Sequence, residues 1–240
     1  MGKLAGSSAL ITGASAGIGR ACAMELARLG VDLLLTGRNA EKLREVVDDT
    51  QRLGVESKAL AGDLTDPSFV RVLADASAEC DIFINNAGIL TYAPLLETDM
   101  HNFEAMFQTN VTAAFAITLE VAKAMALRRK GHIVFITSGS ARNVNQYGVV
   151  YAATKHALSA FAKGFRLELK PLGVRVTEVA PGMVDTAIRE NSQHPTVVAA
   201  LGMRKFKPLS PEDVAESVMA ALTASEGASI DLIELRPRDA

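Results

Sequence analysis

Tyr151 and Lys155 stand four residues apart in an apolar helical pattern over Val149–Leu169, and Ser138 follows the apolar run His132–Thr137 just before it. The i, i+4 spacing puts the phenol and the ammonium on one helix face. A phenol with a pKa near ~10 is a poor base at neutral pH. An adjacent ammonium favours phenolate and is expected to lower that value. Tyr151 is then able to take a proton from an alcohol or give one to a carbonyl oxygen. Ser138 supplies a second hydrogen bond to the same oxygen. A Tyr-x-x-x-Lys pair alone also occurs as an ordinary surface pair; the serine at a strand end and the glycine turn favour chemistry.

That turn is Thr12-Gly13-Ala14-Ser15-Ala16-Gly17-Ile18-Gly19, placed between an apolar strand pattern and a helical one. Glycines admit a pyrophosphate close to the backbone, and a helix N-terminus presents free N–H groups and the positive end of a dipole. The spacing is G-x-x-x-G-x-G rather than the commoner G-x-G-x-x-G. A turn that only packs helix on strand is the alternative. Gly13, Ser15, Gly17, Ile18 and Gly19 are therefore candidate contacts to a dinucleotide. The second strand ends Thr36-Gly37-Arg38-Asn39, without the carboxylate that reads a free ribose 2′-hydroxyl. Arg38 matches a 2′-phosphate in shape and charge, which predicts NADP(H); a solvated surface arginine is the other reading. Asp63-Leu64 after the third strand is placed to read an adenine edge. Asn85-Asn86-Ala87-Gly88 ends the fourth, where small residues leave room for a ligand, although Asn-Asn is also common turn chemistry.

The elements that must hold these residues alternate. Strand patterns cover Ser8–Thr12, Val31–Thr36, Val55–Leu60, Asp81–Ile84, His132–Thr137, Val174–Val179 and Ile230–Leu235. Helical patterns cover Ile18–Leu29, Glu41–Leu53, a segment starting at Pro67, Phe103–Arg129, Val149–Leu169 and Pro211–Ala224. This is the α/β pattern of a doubly wound parallel sheet with helices on both faces. No linker or repeat divides residues 1–240, which predicts a single domain. Met183–Leu209 is the least regular stretch, with Pro195 and Pro208, and reads as a substrate lid or else as disorder.

The 240 residues carry a net charge of -2, which gives no reason to expect a nucleic-acid partner. No run of apolar residues is expected to be long enough to cross a membrane. Cys22 and Cys80 are too few for a disulfide framework or a metal site, and read as core-filling thiols. Met1-Gly2-Lys3 leads straight into a strand pattern, and Gly6 stands where a myristoylation motif needs Ser or Thr. A cytoplasmic setting is the expectation.

Taken together, the motifs resemble the short-chain dehydrogenase/reductase family over nearly the whole chain. Thr12–Gly19 is similar to its cofactor turn and Asn85–Gly88 to its fourth-strand motif. Asn110, Ser138, Tyr151 and Lys155 are similar to its catalytic tetrad. Pro181-Gly182 with Thr186 resembles the segment that closes over nicotinamide and phosphates. The resemblance implies a Rossmann fold with strand order 3-2-1-4-5-6-7. It implies that Lys155 holds the nicotinamide ribose, that Asn110 keeps a water joining Lys155 to solvent, and that Val184 offers its backbone to the carboxamide. It also implies a homodimer or homotetramer built on the two long helices.

The expected function is NADPH-linked reduction of a small carbonyl compound, or the reverse oxidation; Pro211–Glu216 and Ile230–Pro237 resemble segments of reductases acting on 3-hydroxy acids, hydroxy amino acids and semialdehydes. The alternative is a 3-oxoacyl-thioester (ACP/CoA) reductase, with Arg189, Arg204, Lys205 and Lys207 meeting a carrier phosphate or a substrate carboxylate. Ser225–Ser229 departs from the Gly-rich turn of the fatty-acid reductases, against that alternative. A non-catalytic cofactor-binding sensor is disfavoured by the presence of both Tyr151 and Lys155. Pocket residues are expected from 90–92, 140–147 and the lid.

Overall fold

The computed structural model describes residues 3–203, 205–225 and 227–239. Seven parallel strands form one sheet in the order β3-β2-β1-β4-β5-β6-β7. They are β1 (Ser8–Thr12), β2 (Asp32–Gly37), β3 (Ser57–Ala61), β4 (Ile82–Asn85), β5 (Gly131–Ile136), β6 (Val174–Pro181) and β7 (Leu232–Leu235). Helices α1 (Gly17–Arg28), α2 (Ala40–Gln51), α3 (Pro67–Ala76), α4 (Met100–Phe107), α5 (Ala114–Arg128), α6 (Val149–Leu169), α7 (Pro195–Gly202) and α8 (Pro211–Leu222) complete the fold.

Alternation along each strand divides two cores. Ala9, Ile11, Leu33, Leu35, Ile84 and Val134 pack with the buried faces of α1 and α8. Leu10, Phe83, Ile133, Phe135 and Val176 face the opposite way, against α5 and α6. Strands buried on both faces read as continuous apolar runs, as these do. The helix starts follow their caps: Asn39 accepts from the Lys42 N–H at 2.9 Å, and Asp66 caps α3 with Pro67 behind it. Ser210 and Asp213 form a reciprocal capping box on α8. At α1 the N-cap is Ala16, with no side-chain cap.

Two expectations change. The single helix predicted over Phe103–Arg129 starts earlier and is interrupted by a π-turn, Gln108–Ala113, between α4 and α5. The whole run Met100–Arg128 is long and apolar enough, by length and composition, to cross a membrane, which the sequence reading did not anticipate. Here Ile117, Val121 and Met125 spend that apolarity on the core. The second change is inside Met183–Leu209. Pro195, read as a sign of irregularity, is the first residue of α7, a position where proline needs no N–H.

His132 is buried on β5 and bonds Thr177 Oγ1 through Nε2 at 2.8 Å, while Nδ1 has no partner. Burial, helped by the charge of Arg175, pushes its pKa down to about 3. The unfolded chain then binds the proton first, so stability falls as pH drops below the ordinary histidine value of about 6.5. We expect a slope near 1.4 kcal/mol per pH unit from this one group, lost in His132→Leu. Urea unfolding at pH 7 and pH 5 checks it; an unchanged slope in the variant overturns the assignment.

Candidate active site

The glycine turn, Arg38, Asp63, Asn85–Gly88, Ser138 and Pro181-Gly182 lie at or just beyond the C-terminal ends of strands, on one rim of the sheet, whereas Asn110 is on the π-turn and Tyr151 and Lys155 are on α6. The β1–α1 turn is tightly built. Gly13 and Gly17 have φ of +65° and +53°. A Cβ at Gly19 would stand 2.3 Å from the Gly13 carbonyl oxygen, and one at Gly17 3.0 Å from Thr186 Cγ2. Asn86 holds the turn from β4, its Nδ2 donating to Thr12 O at 2.9 Å and Gly13 O at 3.2 Å. The N–H groups of Asn86 and Ala87 both donate to Thr12 Oγ1 at 3.0 Å. Ser15 lies beside Gly37, where an added Cβ would be 3.5 Å from its hydroxyl. Arg38 is exposed at that same corner, as is Asp63, whose carboxylate closes its own turn onto Thr65 at 2.9 Å; Leu64 is partly buried against the core.

Two asparagines do something different from contact. Asn85 turns its amide into α5, donating to Ala114 O at 3.0 Å and Thr118 Oγ1 at 2.7 Å. Asn110, on the π-turn, exchanges two 2.8 Å bonds with the backbone of Ile89 and donates to Thr154 Oγ1 at 3.1 Å. Both side chains brace the rim. Asn110 Oδ1 and Lys155 Nζ both approach Gly88, 3.2 and 3.7 Å from where its Cβ would be.

Beyond Gly88 opens a cavity of about 740 Å³. Ser138, Tyr151 and Lys155 line it, with Tyr92, Arg142 and Arg189 among the residues of its walls. Ser138 lies near enough to Tyr151 to favour its phenolate. The Tyr92 ring meets the Tyr151 ring edge-on at 6.2 Å. Tyr147 holds φ +66°, a left-handed conformation unusual for a bulky residue, and its carbonyl accepts from the Ala93 N–H at 3.1 Å.

The expected electrostatics of the pair are reversed. Burial, then Tyr92, raises the Tyr151 pKa well above the ordinary phenol value, outweighing the lowering influence of Ser138 and the charge of Arg189. Lys155 Nζ lies 5.8 Å from the Tyr151 ring centroid and donates to Ile136 O at 3.1 Å. Burial pushes its pKa down to about 8. The helix spacing put the two side chains on one face, but the carbonyl of Ile136 on β5 takes the ammonium and burial sets the phenol.

The segment 183–209 is tied at both ends. Leu209 N–H donates to Met183 O at 2.9 Å and Asp185 N–H to Leu209 O at 2.8 Å. Its middle touches the β4–α4 loop through Ser192 Oγ, which accepts from Tyr92 N–H at 2.9 Å, and His194, 3.0 Å from Glu97. Val184 and Thr186 lie at its start, with Pro181 and Gly182 just before it, all on the cavity wall. Arg189 enters the cavity, Lys205 and Lys207 are exposed outside it, and Arg204 lies outside the described residues. Among the described residues no cluster of three His, Cys, Asp or Glu could hold a metal ion.

The profile of the short chain dehydrogenases matches residues 7–196 of this sequence. The chain belongs to the short-chain dehydrogenase/reductase family. An uncharacterized oxidoreductase of Staphylococcus saprophyticus is 33% identical over 236 residues, 95% of this chain and 96% of that protein. A metagenomic short-chain oxidoreductase in complex with NADP shares 30% identity at a TM-score of 0.82, covering 98% of each chain. A 7α-hydroxysteroid dehydrogenase complexed with NADH and a 7-oxo bile acid shares 29% at 0.85, over 96% and 93%. As a short-chain dehydrogenase/reductase, the protein is an NAD(P)-dependent oxidoreductase acting on a small molecule. Its turn fits such a cofactor: Gly13, Gly17 and Gly19 leave open the space that Cβ atoms would fill, over an uncapped helix start.

Sequence reasoning passed over Glu178. It is a buried carboxylate in β6 (Val174–Pro181), and it accepts from both terminal nitrogens of Arg142 at 2.6 and 2.9 Å. A charged residue in a strand buried on both faces was the available signal.

Proposed function

We propose that this protein is an NADPH-dependent carbonyl reductase acting on a small oxo acid or semialdehyde, with Tyr151 as the proton donor. The observation that carries the reading is the meeting of Ser138, Tyr151 and Lys155 on the wall of one cavity, where burial keeps the phenol protonated. Gly13, Ser15, Gly17, Ile18 and Gly19 would hold the diphosphate, Arg38 the 2′-phosphate, and Asp63-Leu64 the adenine edge. Lys155, Asn86–Gly88, Pro181-Gly182, Val184 and Thr186 would surround the nicotinamide end. Bound NADPH supplies a hydride to the carbonyl carbon. Tyr151 gives its hydroxyl proton to the carbonyl oxygen, and Ser138 holds that oxygen with a second hydrogen bond. Lys155 keeps positive charge near the phenol as it loses its proton. Arg189 brings a cation into the cavity where a substrate carboxylate is expected.

A homodimer or homotetramer is part of the proposal, supported by Phe115 and Leu119 of α5, which are more than one-third exposed. A cytoplasmic setting accords with two buried, unbridged thiols.

The deciding experiment is a panel of aldehydes, ketones, 3-hydroxy acids and acyl thioesters, assayed with NADPH and NADH. Reduction of an oxo acid or semialdehyde with NADPH supports the reading. Preference for acyl thioesters replaces the substrate class, and tight NADPH binding with no turnover of any carbonyl overturns the enzyme.

The lid should respond to the same ligand. Amide exchange over residues 186–206 is expected to be the fastest in the cofactor-free protein and to slow when NADPH is added. The amides of Asp185 and Leu209, already bonded to each other's strand, should change little. Equal and strong protection across the whole segment with and without NADPH would contradict a lid.

A further inference from the structure

We propose that Glu178 is a positioning residue, a buried carboxylate that sets the distance between the strand carrying Ser138 and the helix carrying Tyr151 and Lys155. The side chain is 1% exposed. Its Oε1 accepts from Arg142 Nη1 at 2.6 Å and from Thr137 Oγ1 at 2.8 Å. Its Oε2 accepts from Arg142 Nη2 at 2.9 Å and from Ser159 Oγ at 3.1 Å. Four donors fill the roughly four acceptor sites of one carboxylate.

Each partner sits one step from the chemistry. Thr137 immediately precedes Ser138. Ser159 is one helical turn beyond Lys155 and two beyond Tyr151 on α6, on the same face by i, i+4 spacing. Arg142 belongs to the loop between Ser138 and Tyr151 and lines the cavity. Its Nε continues to Glu234 on β7 at 2.7 Å, so the brace runs through to the tail that forms the far cavity wall.

Stability alone does not ask for a charge here. Val174 and Val176 precede Glu178 on the same face of β6, packed in the core against α6. Replacing a buried ion pair by apolar side chains is often neutral or stabilising. A hydrophobe would fill the site; it would not clamp a strand end, a helix and a loop with directional bonds. Displacements near 1 Å from productive geometry cost on the order of 10²-fold in rate, so such a clamp has something to protect.

The inference rests on Ser138 and Tyr151 being the carbonyl site, and its test separates the two. Glu178→Gln keeps Arg142 paired with Glu234, and Ser159→Ala leaves the ion pair intact; neither residue lines the cavity. On a carbonyl compound that the wild type reduces, kcat is expected to fall about tenfold in Glu178→Gln and severalfold in Ser159→Ala. The NADPH dissociation constant, from nicotinamide fluorescence, should stay within about twofold, a ΔΔG under roughly 0.5 kcal/mol. Amide exchange of the Ser138–Asn143 loop in the cofactor-free protein should quicken about tenfold in both variants. Lower melting temperatures with unchanged kcat per NADPH-binding site and unchanged loop exchange would make Glu178 a fold residue only and overturn the proposal. If Glu178→Gln does not fold, Ser159→Ala decides on the same readouts. If the wild type reduces nothing, the proposed function fails, while the loop exchange still reports on the brace.

Discussion

Tyr151→Phe should abolish most turnover while leaving the fold and cofactor binding in place. Only a hydroxyl is removed, and the ring keeps its edge-on packing with Tyr92. General acid catalysis contributes roughly 10²–10⁴-fold, so kcat is expected to drop by about that factor, on the order of 3–5 kcal/mol of barrier. NADPH titration and the melting temperature should match the wild type. A variant that retains more than about a tenth of the rate in a chemistry-limited assay would remove Tyr151 from the proton-transfer role. The pH dependence adds a sharper check. Burial holds the Tyr151 phenol protonated well past neutral pH, whereas burial brings Lys155 down to about 8. In the reduction direction kcat/KM, which reports on the free enzyme, should therefore fall as pH rises through about 8. The proton lost there is that of Lys155. The same limb should persist in the residual activity of Tyr151→Phe and shift in Lys155→Arg. A limb that vanishes with Tyr151 would return the titration to the phenol.

These contrasts mark where the sequence was legible. The alternation of strands and helices, the glycine turn after β1, Ser138 after β5 and the shared helix face of Tyr151 and Lys155 followed from local pattern: apolar runs, caps and residue spacing. Each is a property of neighbours along the chain; the strand order came from the family resemblance. The direction of the Tyr151 shift was not legible, because it depends on the depth of the cavity and on Ile136 O taking the ammonium, both fixed by tertiary packing. The π-turn under Asn110 has no local signature in an apolar helical run, and it is the packing of that helix on Ile89 that uses it. Glu178 and Arg142 are 36 residues apart, and nothing along the chain pairs them. Pro195 was misread through a correct rule applied at the wrong helical position. Asn85 shows the same limit: its motif was visible, but not that its amide turns into α5.

Cofactor choice is the largest effect still to be expected from single exposed residues. Solved relatives hold NADP in one case and NADH in another, so membership in the family leaves the choice to this chain's own residues. β2 ends at Gly37 without a carboxylate, and Arg38 is exposed at that corner, with Ser15 across from Gly37. A charge-assisted hydrogen bond to a 2′-phosphate contributes roughly 1.5–3 kcal/mol. That is about one to two decades of affinity. NADPH should therefore be preferred over NADH by at least about tenfold in kcat/KM. Arg38→Ala should erase most of the preference by weakening NADPH and leave NADH kinetics nearly unchanged. Gly37→Asp should go further and invert the order, since a carboxylate repels the phosphate and accepts from a free 2′-hydroxyl. The backbone tolerates that change. A Cβ at Gly37 would meet Ser15 Oγ at 3.5 Å and Leu43 Cδ2 at 3.8 Å, ordinary contact distances, and Gly37 is not among the glycines with positive φ. Equal use of both cofactors by the wild type, or an unaltered ratio in Arg38→Ala, would leave Arg38 as a solvated surface charge and move the selection to another part of the rim.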